Sequence, residues 1–112
     1  MSIEEKKLLT DIKECIISID EHLESKRVFS EYTTNKTKRR AVEREIEIIG
    51  EATNNLLKIN PNIEITGGRF IVNLRNKVIH AYDSVDNEII WKIVMKDLPN
   101  LLKEVNQLMA KK

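Results

Sequence analysis

The sequence predicts an all-α protein, an antiparallel bundle of four main helices. Three observations predict it. Glycine and proline are scarce, three and two in 112 residues, so few positions interrupt the chain. Apolar residues recur at spacings of three and four over long stretches, the mark of helices with one inward face. Alternation with period two is nowhere sustained, so no strands are expected.

The first helix is expected over residues 3–24, where Leu8, Ile12, Ile16, Ile19 and Leu23 form one apolar face. The polar segment "SKRVFSEYTTNKTKRR" follows, with Thr33, Thr34 and Asn35 as breakers. It reads as a short helical turn and then a loop. A second helix runs from about Lys36 to Ile59. Its inward positions are Val42, Ile46, Ile49, Thr53 and Leu56, widened by Ala41, Ile48, Ala52 and Ile59. Gly50 lies inside it, where glycine costs ~1 kcal/mol against alanine; close approach of another helix is the expected reason.

"NPN" at Asn60–Asn62 ends this helix, because the residue before proline resists the α conformation. "TGG" at Thr66–Gly68 is a connection. A third helix is expected from Gly68 or Arg69 to about Ala81, then a turn, "DSVDNE", with Asp86 as N-cap. Ile90, Val94, Leu98, Leu101, Val105 and Leu108 form the stripe of a fourth helix over residues 87–110. Pro99 falls inside it and predicts a kink or break near Asp97. Residues 1–112 read as one helical domain, without repeat or linker.

Acids and bases nearly cancel, leaving a formal charge of +1. Any polyanion must therefore be held by a local patch. One cysteine, Cys15, excludes an internal disulfide and a multi-thiolate metal site, and its apolar surroundings suit a small buried hydrophobe. His22 and His80 have no second histidine at ligand spacing, and HExxH and CxxC are absent. Neither a metal nor another cofactor is expected. The N-terminus is too charged for a signal peptide, and no apolar run approaches the ~18 residues that span a bilayer. A cytoplasmic protein is expected.

The stretch "LRNKVIHAYD", Leu74–Asp83, concentrates chemistry. It holds an arginine, a histidine and a tyrosine within eight residues, in a chain with two histidines and two tyrosines. On the expected third helix, Phe70, Leu74, Val78 and Ala81 share the core face. Arg69, Asn73, Asn76 and His80 form a polar stripe on the far side. Arg75 and Tyr82 share a third face. Arg75 and His80 are five apart, roughly 140° around an ideal helix. Either the helix unwinds near His80, or the target is large or shared with a second subunit.

"RNKVIHAY" has the spacing Arg, four residues, His, one residue, Tyr. With "AVEREIEIIGEA" upstream and "DLPNLLKEV" downstream, it resembles the HepT-like group of the HEPN superfamily, from about Arg40 to Val105. The resemblance implies a helical bundle that dimerises and acts as a metal-independent endoribonuclease. It implies a toxin paired with a minimal nucleotidyltransferase antitoxin. The family's arginine, histidine and tyrosine fall on Arg75, His80 and Tyr82. Asn76 falls on the polar position after the arginine, and Gly50 and Glu51 on the Gly-Glu pair of the preceding helix. Tyr82 is then the acceptor of AMP from the partner, a modification that silences the toxin. The runner-up is a non-catalytic helical dimer that binds a nucleotide or a nucleotidyltransferase.

The residue types suit RNA cleavage. RNA carries its own nucleophile, the 2′-hydroxyl. A histidine can take or give a proton near neutral pH. An arginine can grip two phosphate oxygens and offset charge that builds on them. Asn76 and Arg69 are candidates to position the substrate. The resemblance favours a symmetric dimer that gathers two Arg75 and two His80 around one cleft. Ile89, Trp91 and Ile93 lie beyond the fourth helix's main stripe and, with Val72 and Ile79, are expected to be buried between subunits. The basic run "KTKRR" at Lys36–Arg40 sits at the helix end that the dipole disfavours for cations. It reads equally as a guide for RNA or a solvated charged run.

Overall fold

The computed structural model describes residues 1–24, 27–65 and 87–111, and every regular element among them is helical. The elements are α1 (Ile3–His22), α2 (Phe29–Thr34), α3 (Lys36–Ile59), α4 (Asn87–Lys92), a π turn (Ile93–Asp97) and α5 (Leu98–Ala110). The expected third helix and the Asp86 cap lie outside the described residues.

Local chemistry sets the helix ends. Ser2 caps α1: its Oγ accepts from the Glu5 N–H at 3.1 Å, and its hydroxyl donates back to Glu5 Oε1 at 3.2 Å. This is a serine–glutamate capping arrangement. After Leu23 the chain leaves α1 through Glu24 at φ 56°, a left-handed position that usually falls to glycine. The Glu24 carboxylate meets Lys38 at 3.7 Å. Asn35 closes α2 and opens α3, its Oδ1 accepting from the Lys38 N–H at 3.0 Å. One of the predicted breakers is thus the cap of the longest helix. Arg39 donates to the carbonyl of Thr33 and ties α3 to the end of α2.

α1 and α3 run antiparallel, since Glu24 meets Lys38 at one end and Asn60 Nδ2 donates to Glu5 Oε2 at 3.5 Å at the other. Lys111, just after α5, meets Glu64, just after α3, at 3.8 Å. α5 therefore runs with α3 and against α1. Between them lies one core: Leu9, Ile12, Ile16, Ile19, Val42, Ile46, Ile49, Leu56, Ile90, Leu98, Leu101 and Val105 are all buried. Thr53 is the buried polar side chain among them, and its hydroxyl donates to the Ile49 carbonyl one turn back at 2.7 Å.

The predicted stripes need three adjustments. In α1 the deeply buried residue is Leu9, while Leu8 only packs against the core. Ile59 ends α3 at 42 % exposure rather than widening its inward face, because the helix has passed the end of the core. Ile93 is 1 % exposed and belongs to the core, not to an outer face. Pro99 explains the last point. It has no N–H to offer, and its ring would strike the carbonyl one turn back in a regular helix. The chain answers with a π turn, in which the Leu98 N–H bonds to the Ile93 carbonyl. In an α-helix Ile93 and Leu98 would stand about 140° apart. A five-residue turn brings them to the same side, and both are buried. The break expected near Pro99 is this π turn.

Candidate functional site

Of the residues singled out in the sequence, Gly50 and Glu51 lie in α3. Gly50 is buried and Glu51 is exposed. A side chain at Gly50 would compete with neighbours for space in the bundle, which fits an interior glycine retained for close packing. Arg69, Arg75, Asn76, His80 and Tyr82 lie outside the described residues, as do Val72 and Ile79.

Both flanks of the Arg–His–Tyr segment are anchored. On the N-terminal side, Asn60 closes α3 by donating its N–H to Leu56 at 2.9 Å, and Ile63 donates to Asn60 at 3.1 Å. Ile65 then turns into the core. On the C-terminal side, Ile90 is fully buried. Beside it Trp91 packs against Tyr32 and Phe29, with ring centroids 5.4 and 5.8 Å away, separations typical of favourable aromatic contacts. Ile65 follows the C-terminal end of α3, whereas Trp91 meets α2, which leads into its N-terminal end. The two anchors thus sit at opposite ends of α3. Sequence reasoning missed this aromatic cluster. Phe29 and Tyr32, three apart in a polar segment, were the available signal.

The electrostatics around α3 separate inert from exposed groups. Burial pushes the Cys15 thiol up to about 11, helped by the nearby Glu45, Asp11 and Glu14 carboxylates. It is a thiol, not a thiolate nucleophile, at neutral pH. Burial, with help from Glu43, likewise raises Tyr32, and its hydroxyl has no hydrogen-bond partner among the described residues. The Glu43 carboxyl is raised mainly by burial, against the opposing pull of Arg39. His22 shares a hydrogen bond with Ser18 Oγ at 3.3 Å.

A cleft of about 310 Å³ opens between α1 and the π turn, lined by Ile16, Ile17, Val94, Leu98 and Pro99. The Asp20–Arg27 ion pair, 2.8 Å, borders it. Apart from that pair its lining is apolar. Among the described residues no cluster of His, Cys, Asp or Glu is arranged to hold a metal ion.

Comparison with known proteins decides the family. The model described as "Ribonuclease HepT-like" matches residues 12–108. The chain belongs to the HepT-like ribonuclease family. The HepT-like match covers α1 from Ile12 through nearly all of α5, and so includes the core described above apart from Leu9. The chain is similar to the protein named "Probable ribonuclease HepT" of Thermococcus cleftensis, 37% identical over 100 residues, 86% of this chain and 87% of that protein. It is also similar to two Methanocaldococcus jannaschii proteins. "Putative RNase MJ0127" is 39% identical over 84 residues, 71% of this chain and 67% of that protein. "Putative RNase MJ1380" is 41% identical over 81 residues, 69% of this chain and 72% of that protein. No solved structure matches. The all-α bundle is the fold expected of a HepT-like, HEPN-type ribonuclease.

Proposed function

We propose that this chain is a metal-independent endoribonuclease, the toxin of a toxin–antitoxin pair. The observation that carries the reading is the intact Arg75–x4–His80–x–Tyr82 spacing within a chain of the HepT-like ribonuclease family. His80 takes the proton of an RNA 2′-hydroxyl as that oxygen attacks the neighbouring phosphorus. The bond to the 5′-oxygen breaks, and that oxygen receives a proton as it leaves. Arg75 holds the non-bridging oxygens and offsets their growing charge. Asn76 and Arg69 position the strand, and Gly50 and Glu51 of α3 support the site, Gly50 by close packing.

In this reading residues 1–112 act as one cytoplasmic helical domain that forms a homodimer, with Arg75 and His80 of both copies around one cleft. Ile89, 45 % exposed, is available to such an interface. No described helix is long and apolar enough to cross a membrane. The partner is a minimal nucleotidyltransferase that attaches AMP to Tyr82. The added phosphodiester carries negative charge beside Arg75 and opposes an incoming RNA backbone.

The test is incubation of the purified chain with RNA in excess chelator. Cleavage leaving 2′,3′-cyclic phosphate ends is expected. His80→Ala and Arg75→Ala should each lose at least ~100-fold in rate with unchanged far-UV circular dichroism. A parent that leaves RNA intact, or folded variants that cleave as well as the parent, would overturn the assignment. For Tyr82, co-expression with the partner should add mass in whole AMP units, and Tyr82→Phe should abolish the gain.

A further inference from the structure

The first turns of α3 are the most cationic stretch of the protein. Between Lys36 and Arg44 lie Lys36, Lys38, Arg39, Arg40 and Arg44, against one acid, Glu43. Two of the five have structural work. Lys38 pairs with Glu24, and Arg39 holds the end of α2. The other three, Lys36, Arg40 and Arg44, recur every fourth residue and are all exposed.

At about 100° per residue these three advance ~40° around the helix and ~6 Å along it at each step. They form one stripe on the side opposite Val42, Ile46, Ile49 and Thr53. Glu51, about two turns further on, falls within the same arc. The stripe therefore leads along α3 toward the Gly50–Glu51 pair that supports the proposed ribonuclease site.

Helix electrostatics oppose this arrangement. The first turn of α3 has no acidic residue, so cations sit unbalanced at the positive end of the dipole. Like charges four apart repel along the same face. Compensation is thin. Lys36 and Arg40 make no hydrogen bond or ion pair among the described residues. Arg44 reaches Glu47 at 3.1 Å but stays 70 % exposed, and a pair so open to water holds weakly. The Glu43 carboxyl feels Arg39 and, more weakly, Arg40, but burial outweighs them and raises it overall. A chain of net charge +1 thus concentrates thinly compensated positive charge where its own helix gains nothing from it.

We infer that Lys36, Arg40 and Arg44 form a phosphate-binding track on which single-stranded RNA lies as it approaches the ribonuclease site. The inference rests on the ribonuclease reading for its choice of polyanion. A regular row of separate cations fits the repeating charge of a backbone, contacted at successive phosphates without regard to sequence. Binding releases counterions from the strand and relieves the repulsion between the three side chains.

The test uses the full chain, a fluorescein-labelled single-stranded RNA and a salt titration. His80→Ala, in the parent and variant backgrounds alike, prevents cleavage during the binding measurement. Each lost phosphate contact lowers the slope of log affinity against log salt by ~0.7. Replacing all three residues (Lys36→Gln, Arg40→Gln, Arg44→Gln) should lower it by ~2. A control with the same charge change elsewhere (Lys6→Gln, Lys92→Gln, Lys103→Gln) should leave the slope nearly unchanged. With His80 intact, the track variant should raise KM for long RNA and spare kcat. Thermal unfolding of the track variant should match or exceed that of the parent, because like-charge repulsion is removed. An unchanged slope in the folded variant overturns the inference. So does a control that loses as much, since net charge alone would then explain binding. An unchanged slope with weakened capture of the co-expressed nucleotidyltransferase assigns the stripe to a protein partner instead. A parent that binds RNA through the track but never cleaves it overturns the ribonuclease reading and leaves the track standing.

Discussion

α3 and the segment Asn87–Ala110 carry opposite backbone problems and solve them differently. α3 contains Gly50, and its helix runs unbroken from Lys36 to Ile59. Asn87–Ala110 contains Pro99, and its helix passes through a π turn at Ile93–Asp97. A glycine keeps its N–H and costs only conformational freedom, so the helical ladder survives. A proline deletes a donor and adds a clash, so the ladder itself must shift. The shift brings together residues five apart, Ile93 and Leu98. Arg75 and His80 have the same spacing in the sequence. Five-residue spacing therefore does not by itself decide which side chains face one way.

The sharpest way to break this comparison is at Ile93. Ile93→Ala should cost about 2–4 kcal/mol, because it empties a core position. Met95→Ala, in the same turn but at 45 % exposure, should cost under ~0.5 kcal/mol. Urea unfolding of the two variants measures the difference. Equal, small losses would mean that the π turn does not turn Ile93 inward.

Gly50→Val tests the other helix. The position is buried, so added methyl groups must displace neighbours, at about 1–3 kcal/mol. A variant stabilised by its higher helix propensity would show that Gly50 is not held by close packing.

Cys15 probes the seam between α1 and α3, where Glu45 approaches it. Its thiol is raised from 9.0 to about 11. The folded state therefore holds the proton more tightly than the unfolded state does. Below pH 9 both states are protonated and stability is unaffected. Between about pH 9 and 11 the unfolded chain releases the proton first, so stability should fall as pH rises. Cys15→Ser should flatten that part of a stability–pH curve, and the native thiol should react slowly with disulfide reagents at pH 8.

Tyr32, which links α2 to Trp91 of α4, has the smallest expected effect. Its hydroxyl is buried without a partner among the described residues, so Tyr32→Phe removes a desolvated group and keeps the ring contact. Stability should change by less than ~1 kcal/mol and toward greater stability. A loss of more than that, in thermal unfolding, would show that the hydroxyl is bonded in solution.

Much of this molecule is legible without coordinates. The bounds of α3 follow from Asn35 and from the Asn60–Pro61 pair, because capping and the proline restriction act between neighbours. The stripes of α3 and of Asn87–Ala110 follow from periodicity, because one face of each must leave water. The candidate site was legible in another sense: the spacing of Arg75, His80 and Tyr82 and the Gly50–Glu51 pair carry the family resemblance, and the family comparison agrees with it.

Other features depended on which elements meet. Leu9 rather than Leu8 fills the core, Ile93 joins it, and Ile59 stays outside it, since burial depends on what lies opposite a residue as well as on its own helix. Tyr32, Phe29 and Trp91 meet across more than fifty residues of chain, and no local rule connects them. Lys38 and Arg39 look equivalent to Lys36 and Arg40 in the string "KTKRR", yet Glu24 and the Thr33 carbonyl engage the first two and leave the others to solvent. The sequence alone determined the described helices, the ends of α3 and the family, because propensity, capping and periodicity are short-range effects. Only the tertiary structure decided the π turn's inward residues, the aromatic anchor and which cations are held by other elements, because each depends on a partner brought close by packing.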